Sequence, residues 1–198
     1  MRRDESRQRN RESLMDAAVA EIAAKGYQAA RLEDIAARAD LTTGAIYSIF
    51  GSKRGLLLAA SQRVIDGQVE AVVALADPEL SLTGVLDGLA AYAHRLATAD
   101  QSGIQVAFQL EALAVAFREP ELMASIQAQD LTDAMTNLLT GRRIDASGAV
   151  TTPEQAERLR PAVESLMSGM SQQVALGIDD VSVEYIAESM RALTALIL

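Results

Sequence analysis

Cysteine and tryptophan are absent from this 198-residue chain, and histidine occurs once, at His94. Without cysteine there is no disulfide framework, no thiolate nucleophile and no Cys-ligated zinc. A single histidine argues against a catalytic triad or a His-based metal site. Aromatics make up only 4% and prolines number four. The core must therefore rest on Ala, Leu, Ile, Val and Met, and long stretches run without a breaker. That composition predicts an all-α protein. Apolar runs such as Ala112–Phe117 are far shorter than a membrane span. The arginine-rich N-terminus lacks a following apolar region, so it does not read as a secretory signal, and a cytoplasmic location is the default. Nothing implies a cofactor, a metal or a membrane partner.

The net charge of −9 is unevenly spread. Residues 1–63 hold 11 Lys and Arg against 8 Asp and Glu, whereas residues 64–198 hold 7 against 19. A unit of balance +3 is thus joined to one of balance −12. Arg2, Arg3, Arg7, Arg9 and Arg11 crowd the first eleven positions. This split suits a chain that docks one end on phosphate and holds the other away from it.

Helical spacing places Leu14, Ala17, Ala18 and Ile22 on one face of a first helix over residues 12–25, stopped by Gly26. The arginines before it read as an arm, disordered without a partner and able to reach a groove or the backbone. Leu32, Ile35, Ala36 and Ala39 mark a short second helix, with Asp40 at the left-handed position that ends it. Thr42 is placed to cap a third helix over 43–50. Gly51 ends that helix, and Ser52 caps a fourth. Longer helices are expected from Ser81 or Thr83 to about Ala99, Ser102 to Arg118, Pro120 to Thr140, Pro153 to Leu176 and Val183 to Leu196. Residues 142–152 read as a loop. The expected domains are 1–51, an arm with a three-helix unit, and 52–198, a larger helical domain.

Two short helices joined by a tight turn form the minimal device for reading a DNA groove. In the third helix Ile46, Ile49 and Phe50 share a packing face. Thr43, Gly44, Tyr47 and Ser48 occupy the other side and, with Thr42 and Ala45, are the candidate DNA contacts. Thr43 and Ser48 can donate to bases or phosphates. Gly44 permits close approach, and Tyr47 can stack on sugar while its hydroxyl reaches phosphate. Lys53 begins the fourth helix, where free amides and the helix dipole favour an anion. Arg31 can touch the backbone from the other side.

The passage Gly26-Tyr27-Gln28-Ala29-Ala30-Arg31-Leu32-Glu33-Asp34-Ile35-Ala36, continued by Thr42-Thr43-Gly44-Ala45-Ile46-Tyr47-Ser48-Ile49-Phe50-Gly51-Ser52-Lys53, resembles Tet-repressor-like regulators over residues 10–63. Three positions depart from that pattern. Arg31 stands where a capping Thr or Ser is usual, Asp40 replaces a turn glycine, and Arg54 replaces an acidic residue. The resemblance implies a transcription repressor: an all-helical homodimer on a palindromic double-stranded operator, released by a small-molecule effector bound in a variable C-terminal domain.

For that effector the candidates are Tyr92, His94, Phe108, Gln109, Met123 and Met167, polar or adaptable side chains for which plain core packing is the competing role. For the dimer they are the apolar stripes Leu159, Val163, Leu166 and Met170 on the penultimate helix, and Ile186, Met190, Leu193 and Ile197 on the last. Two other classes stay open: a helical dimer that binds small molecules or serves structurally without DNA affinity, and an enzyme. The second is disfavoured because no nucleophile, acid–base pair or metal constellation is found.

Overall fold

A computed structural model describes residues 2–99, 102–119, 121, 129–144, 148–178 and 180–198. The described chain is all-α and divides into two compact units, Met1–Ile65 with Gly103–Gln127, and Asp66–Ser102 with Ala128–Leu198.

The first unit begins with α1 (Arg2–Lys25). Leu14, Ala17, Ala18 and Ile22 are buried along it as their spacing requires. Gly26, at φ 80°, ends it. The arm expected to be disordered is instead the first turns of this helix, which is a correction. Arg and Gln are good helix formers. Asp4 and Glu5 complement the dipole in the first turn, and Gln8 donates to Glu12 at 2.8 Å, one turn on.

The helices α2 (Leu32–Arg38) and α3 (Thr43–Phe50) follow. Asp40 holds φ 53°, the left-handed conformation expected of it. Leu41 N–H donates to the Ala36 carbonyl at 2.9 Å, and Asp40 N–H to that of Ala37 at 3.1 Å. These two bonds close a Schellman motif, with aspartate in the place glycine would occupy more cheaply. A charge network ties α2 to α1. Lys25 reaches Glu21 at 2.7 Å and Asp34 at 2.9 Å, and Arg38 reaches Glu21 at 3.0 Å.

Next comes α4 (Lys53–Ala74), with the Ser52 hydroxyl accepting from Gly55 N–H at 2.9 Å. A Cβ at Gly55 would lie 2.1 Å from the Phe50 carbonyl oxygen, so only glycine lets α4 start this close to the end of α3. α6 (Ser102–Arg118) completes this unit by inserting Phe108 and Val115 into the same core as Leu14, Ile35 and Ile46.

In the second unit α5 (Leu82–Thr98) packs on α8 (Pro153–Ala175) and α9 (Val183–Ala192), with α7 (Gln129–Leu139) against α8. Ser81, Thr152 and Ser182 cap α5, α8 and α9, and Thr152 forms a full capping box with Gln155. A 3-10 turn, Leu193–Leu196, replaces the last turn expected of α9. The start expected at Pro120 lies outside the described residues. The loop after α7 folds back through an isolated bridge between Arg143 and Val150. It wraps the buried Arg142, whose Nε donates to the Leu138 carbonyl at 2.7 Å and whose Nη1 donates to that of Asp77.

Leu159, Val163, Ile186 and Met190 are 0% exposed, and Met170 is 8% exposed, all in this unit's own core. Leu166, Leu193 and Ile197 are partly buried and packed against it. Five of the eight stripe residues are thus buried in this unit's own core, as the hydrophobic effect favours, whereas Leu166, Leu193 and Ile197 keep part of their surface exposed.

Candidate nucleic-acid interface

Only Ile46 of α3 is fully buried, while Ile49 and Phe50 are half-buried against the same core. Those three side chains fix the helix, and one face remains open. Gly44 and Ser48 are exposed, and Tyr47 exposes 57% of its surface, although a ring of that size is normally drawn inward. Thr43 and Ala45 are half-buried at the edge. A Cβ at Gly44 would meet nothing nearer than the Thr42 hydroxyl at 3.6 Å, so packing within the chain does not require this glycine. The Thr42 hydroxyl accepts from Ala45 N–H at 3.3 Å. Thr42 and Ala45 thus cap the helix, and the first-turn amides of Thr43 and Gly44 have no acceptor within it.

Arg31 is exposed at the N-cap of α2 and accepts no side-chain cap bond there. Lys53 is placed differently from the free clamp its position suggests. Its ammonium lies 4.7 Å from the centre of the Tyr27 ring and donates to the Gln28 carbonyl at 3.3 Å. Burial pushes its pKa down, and burial likewise pushes the Tyr27 phenol up. Lys53 therefore pins the turn after α1 while standing at the N-terminus of α4. Beside it, Arg54 Nε lies 4.0 Å from a Glu119 carboxylate oxygen.

The sequence reading missed where the N-terminal arginines go. Arg7 and Arg11, one turn apart on α1, line a groove of about 300 Å³ with Asp4, Gln8 and Ile49, and the Arg11 guanidinium sits 5.1 Å from the Phe50 ring. Their i, i+4 spacing was the available signal. It puts two cations beside the C-terminal end of α3.

The effector candidates are divided between the two units. Tyr92 is buried in the second unit with Arg95 over its ring at 5.7 Å, and burial raises its pKa. His94 is half-buried there, and Met167 packs against that core. Phe108 instead fills the core of the first unit at 1% exposure, and Gln109 is exposed. Met123 lies outside the described residues. A polar cleft of about 600 Å³ that sequence reasoning did not find opens between α7 and α8, lined by Thr132, Asp133, Thr136, Asn137, Glu157 and Arg160. Among the described residues no group of three metal-ligating side chains occurs, and no helix is long and apolar enough to cross a membrane.

Residues 14–60 match the family model described as bacterial regulatory proteins, tetR family. No curated protein sequence matches the chain. Among solved structures, the multidrug binding protein EbrR complexed with imidazole is 26% identical, with 94% of this chain and 93% of that one covered and a TM-score of 0.65. The same protein complexed with ethidium gives 25%, 94%, 98% and 0.65. A TetR-family member, SCO1917 from Streptomyces coelicolor A3, gives 25%, 94%, 97% and 0.69.

Proposed function

Because the chain belongs to the TetR-like family of transcriptional regulators, we propose that it is a cytoplasmic repressor that reads a palindromic operator as a homodimer. The bare face of α3, with Tyr47 at 57% exposure, is the observation that carries this reading. Thr43, Gly44, Tyr47 and Ser48 enter the major groove. The amides at the α3 and α4 N-termini, with Arg31, Arg7, Arg11 and Arg54, neutralise flanking phosphates. Lys53 adds charge there and holds the turn behind it. In this division of labour residues 1–51, with the phosphate contacts at the start of α4, read DNA, and the rest of residues 52–198 pairs subunits and senses a ligand.

For the pairing, α8 and α9 offer the residues the core leaves outside: Pro161, Ser165, Ser168 and Leu176 on α8, and Tyr185, Glu188, Ala192 and Leu196 beyond it. A small molecule bound among the helices of the second unit weakens operator binding, and by linkage the operator weakens its binding in return. The ligand-bound structures of EbrR support a ligand-responsive second unit. The test is selection of bound duplexes from a random DNA pool. It should return paired inverted half-sites with centres about 34–36 Å apart. A pool with no enriched motif, or a single unpaired half-site, would overturn the proposal.

A further inference from the structure

α6 contributes a carboxylate to the turn that precedes α2. Its inner face seats Phe108 and Val115 in the core of the first unit, and its outer face leaves Leu110, Leu113 and Phe117 exposed. Glu111 is half-buried at the edge between these faces. Its Oε2 accepts the backbone N–H of Tyr27 at 3.0 Å, across 84 residues of sequence. The left-handed Gly26, at φ 80°, makes the turn that presents this amide, and its Cα faces the same carboxylate. A Cβ at Gly26 would stand 3.5 Å from the nearest carboxylate oxygen.

A carboxylate at this place meets the negative end of the α1 dipole, which by itself disfavours it. The hydrogen bond to Tyr27 supplies the offset, since an ionised acceptor makes a stronger bond than a neutral one. The opposite side of the same turn is held by Lys53, over the Tyr27 ring and on the Gln28 carbonyl. The turn is thus clamped between α6 and the first residue of α4. Arg31 follows Gln28 by three residues and has no side-chain cap to fix it locally.

We propose that Glu111 is a positioning residue for DNA reading: its carboxylate fixes the Gly26–Tyr27 turn and so places Arg31 and Lys53 against the phosphates. This rests on the regulator reading above. Glu111 touches no DNA in this arrangement and acts through the turn alone.

Two variants of the full chain separate this role from simple structural support. Glu111→Gln keeps an acceptor oxygen for Tyr27, whereas Glu111→Ala removes it while retaining a good helix former on α6. Amide hydrogen exchange at Tyr27 should rise about tenfold in Glu111→Ala and stay near the wild-type rate in Glu111→Gln. Core amides of α8 and α9 serve as the internal control in both proteins. On a duplex selected by the wild type, Glu111→Ala should bind about tenfold more weakly and Glu111→Gln within about twofold. Unchanged exchange at Tyr27 in Glu111→Ala overturns the proposal, as does undiminished duplex affinity once that exchange has risen. If Glu111→Gln fails like Glu111→Ala, the acceptor role is wrong. A wild-type protein that selects no duplex overturns the regulator reading itself, and the positioning role with it.

Discussion

α3 in the first unit presents Gly44, Tyr47 and Ser48 outward, whereas α8 and α9 in the second turn Leu159, Val163, Ile186 and Met190 inward. In the first case the core closes without the outward residues, so no packing requirement explains them. In the second, Leu159, Val163, Ile186 and Met190 are fully buried inside one chain. Apolar periodicity reports burial, and burial is satisfied first within the subunit. A partner surface must therefore be sought among what the core leaves over. A small, polar, capped face reports recognition more directly, because the fold has little other use for it.

The largest expected effect tests the inward half of this contrast. Leu159→Ala should cost about 3 kcal/mol through lost burial and the cavity left behind. Urea unfolding would show it as a lower midpoint, with the proposed dimer intact by sedimentation below that midpoint. A monomer of unchanged stability would return Leu159 to the interface and break the contrast between the units.

Next in size is a matched pair of glycines in the first unit. At Gly55 a Cβ would sit 2.1 Å from the Phe50 carbonyl oxygen, so α3 and α4 must separate. Gly55→Ala should lose about 2 kcal/mol in thermal melts. A Cβ at Gly44 would meet only the Thr42 hydroxyl, at an ordinary 3.6 Å. Gly44→Ala should melt no lower than the wild type and bind a selected duplex about tenfold more weakly, because the added methyl meets DNA rather than protein. If Gly44→Ala retained full affinity in fluorescence anisotropy, α3 would not approach DNA by this face.

How much of this was legible in the sequence divides along the same line. Local devices were readable because they complete themselves within a few residues: Thr42 and Ser52 cap, Gly51 stops, and Asp40 takes φ 53°. Two long-range ties of the first unit were invisible. Glu21, Lys25, Asp34 and Arg38 meet because α1 and α2 cross, and Glu111 meets Tyr27 from a helix far along the chain. No local pattern encodes either meeting. The arginines before residue 12 misled for a different reason. A high density of one charge favours disorder, but these cations are spaced among Asp4, Glu5 and Gln8 so that the helix continues through them.

The crossing network gives the first unit an acid sensitivity of its own. The hydrogen bond from Lys25, then that from Arg38, holds the Glu21 carboxyl below the usual carboxylate range against the opposing effect of burial. Lys25 does the same for Asp34. A depressed folded-state pKa contributes stability that is present above the unfolded value and lost as pH falls through the folded one. Amides of α1 and α2 should therefore lose exchange protection as the pH drops below about 4, and Glu21→Gln should flatten that response. Loss of protection in α5 and α9 first would show that the network is not the acid-labile part.

The smallest effect is the most pointed, because stability and function should move in opposite directions. Arg31 occupies the N-cap of α2 with φ −92° and ψ 145°, the extended geometry a cap requires, yet it contributes no acceptor. Arg31→Thr keeps that backbone and supplies an oxygen for the first-turn amides. It should stabilise the protein by about 1 kcal/mol. It also removes an exposed cation from the proposed phosphate contacts. Duplex affinity should then fall alike for selected and random sequences, and the slope of log affinity against log salt should shrink by about 1. A protein that becomes more stable and binds DNA with an unchanged salt slope would place Arg31 outside the interface, leaving the missing cap as its whole consequence. A protein that melts higher while its salt slope falls would show an N-cap given up for a phosphate contact. The bare face of α3 would then extend to the start of α2.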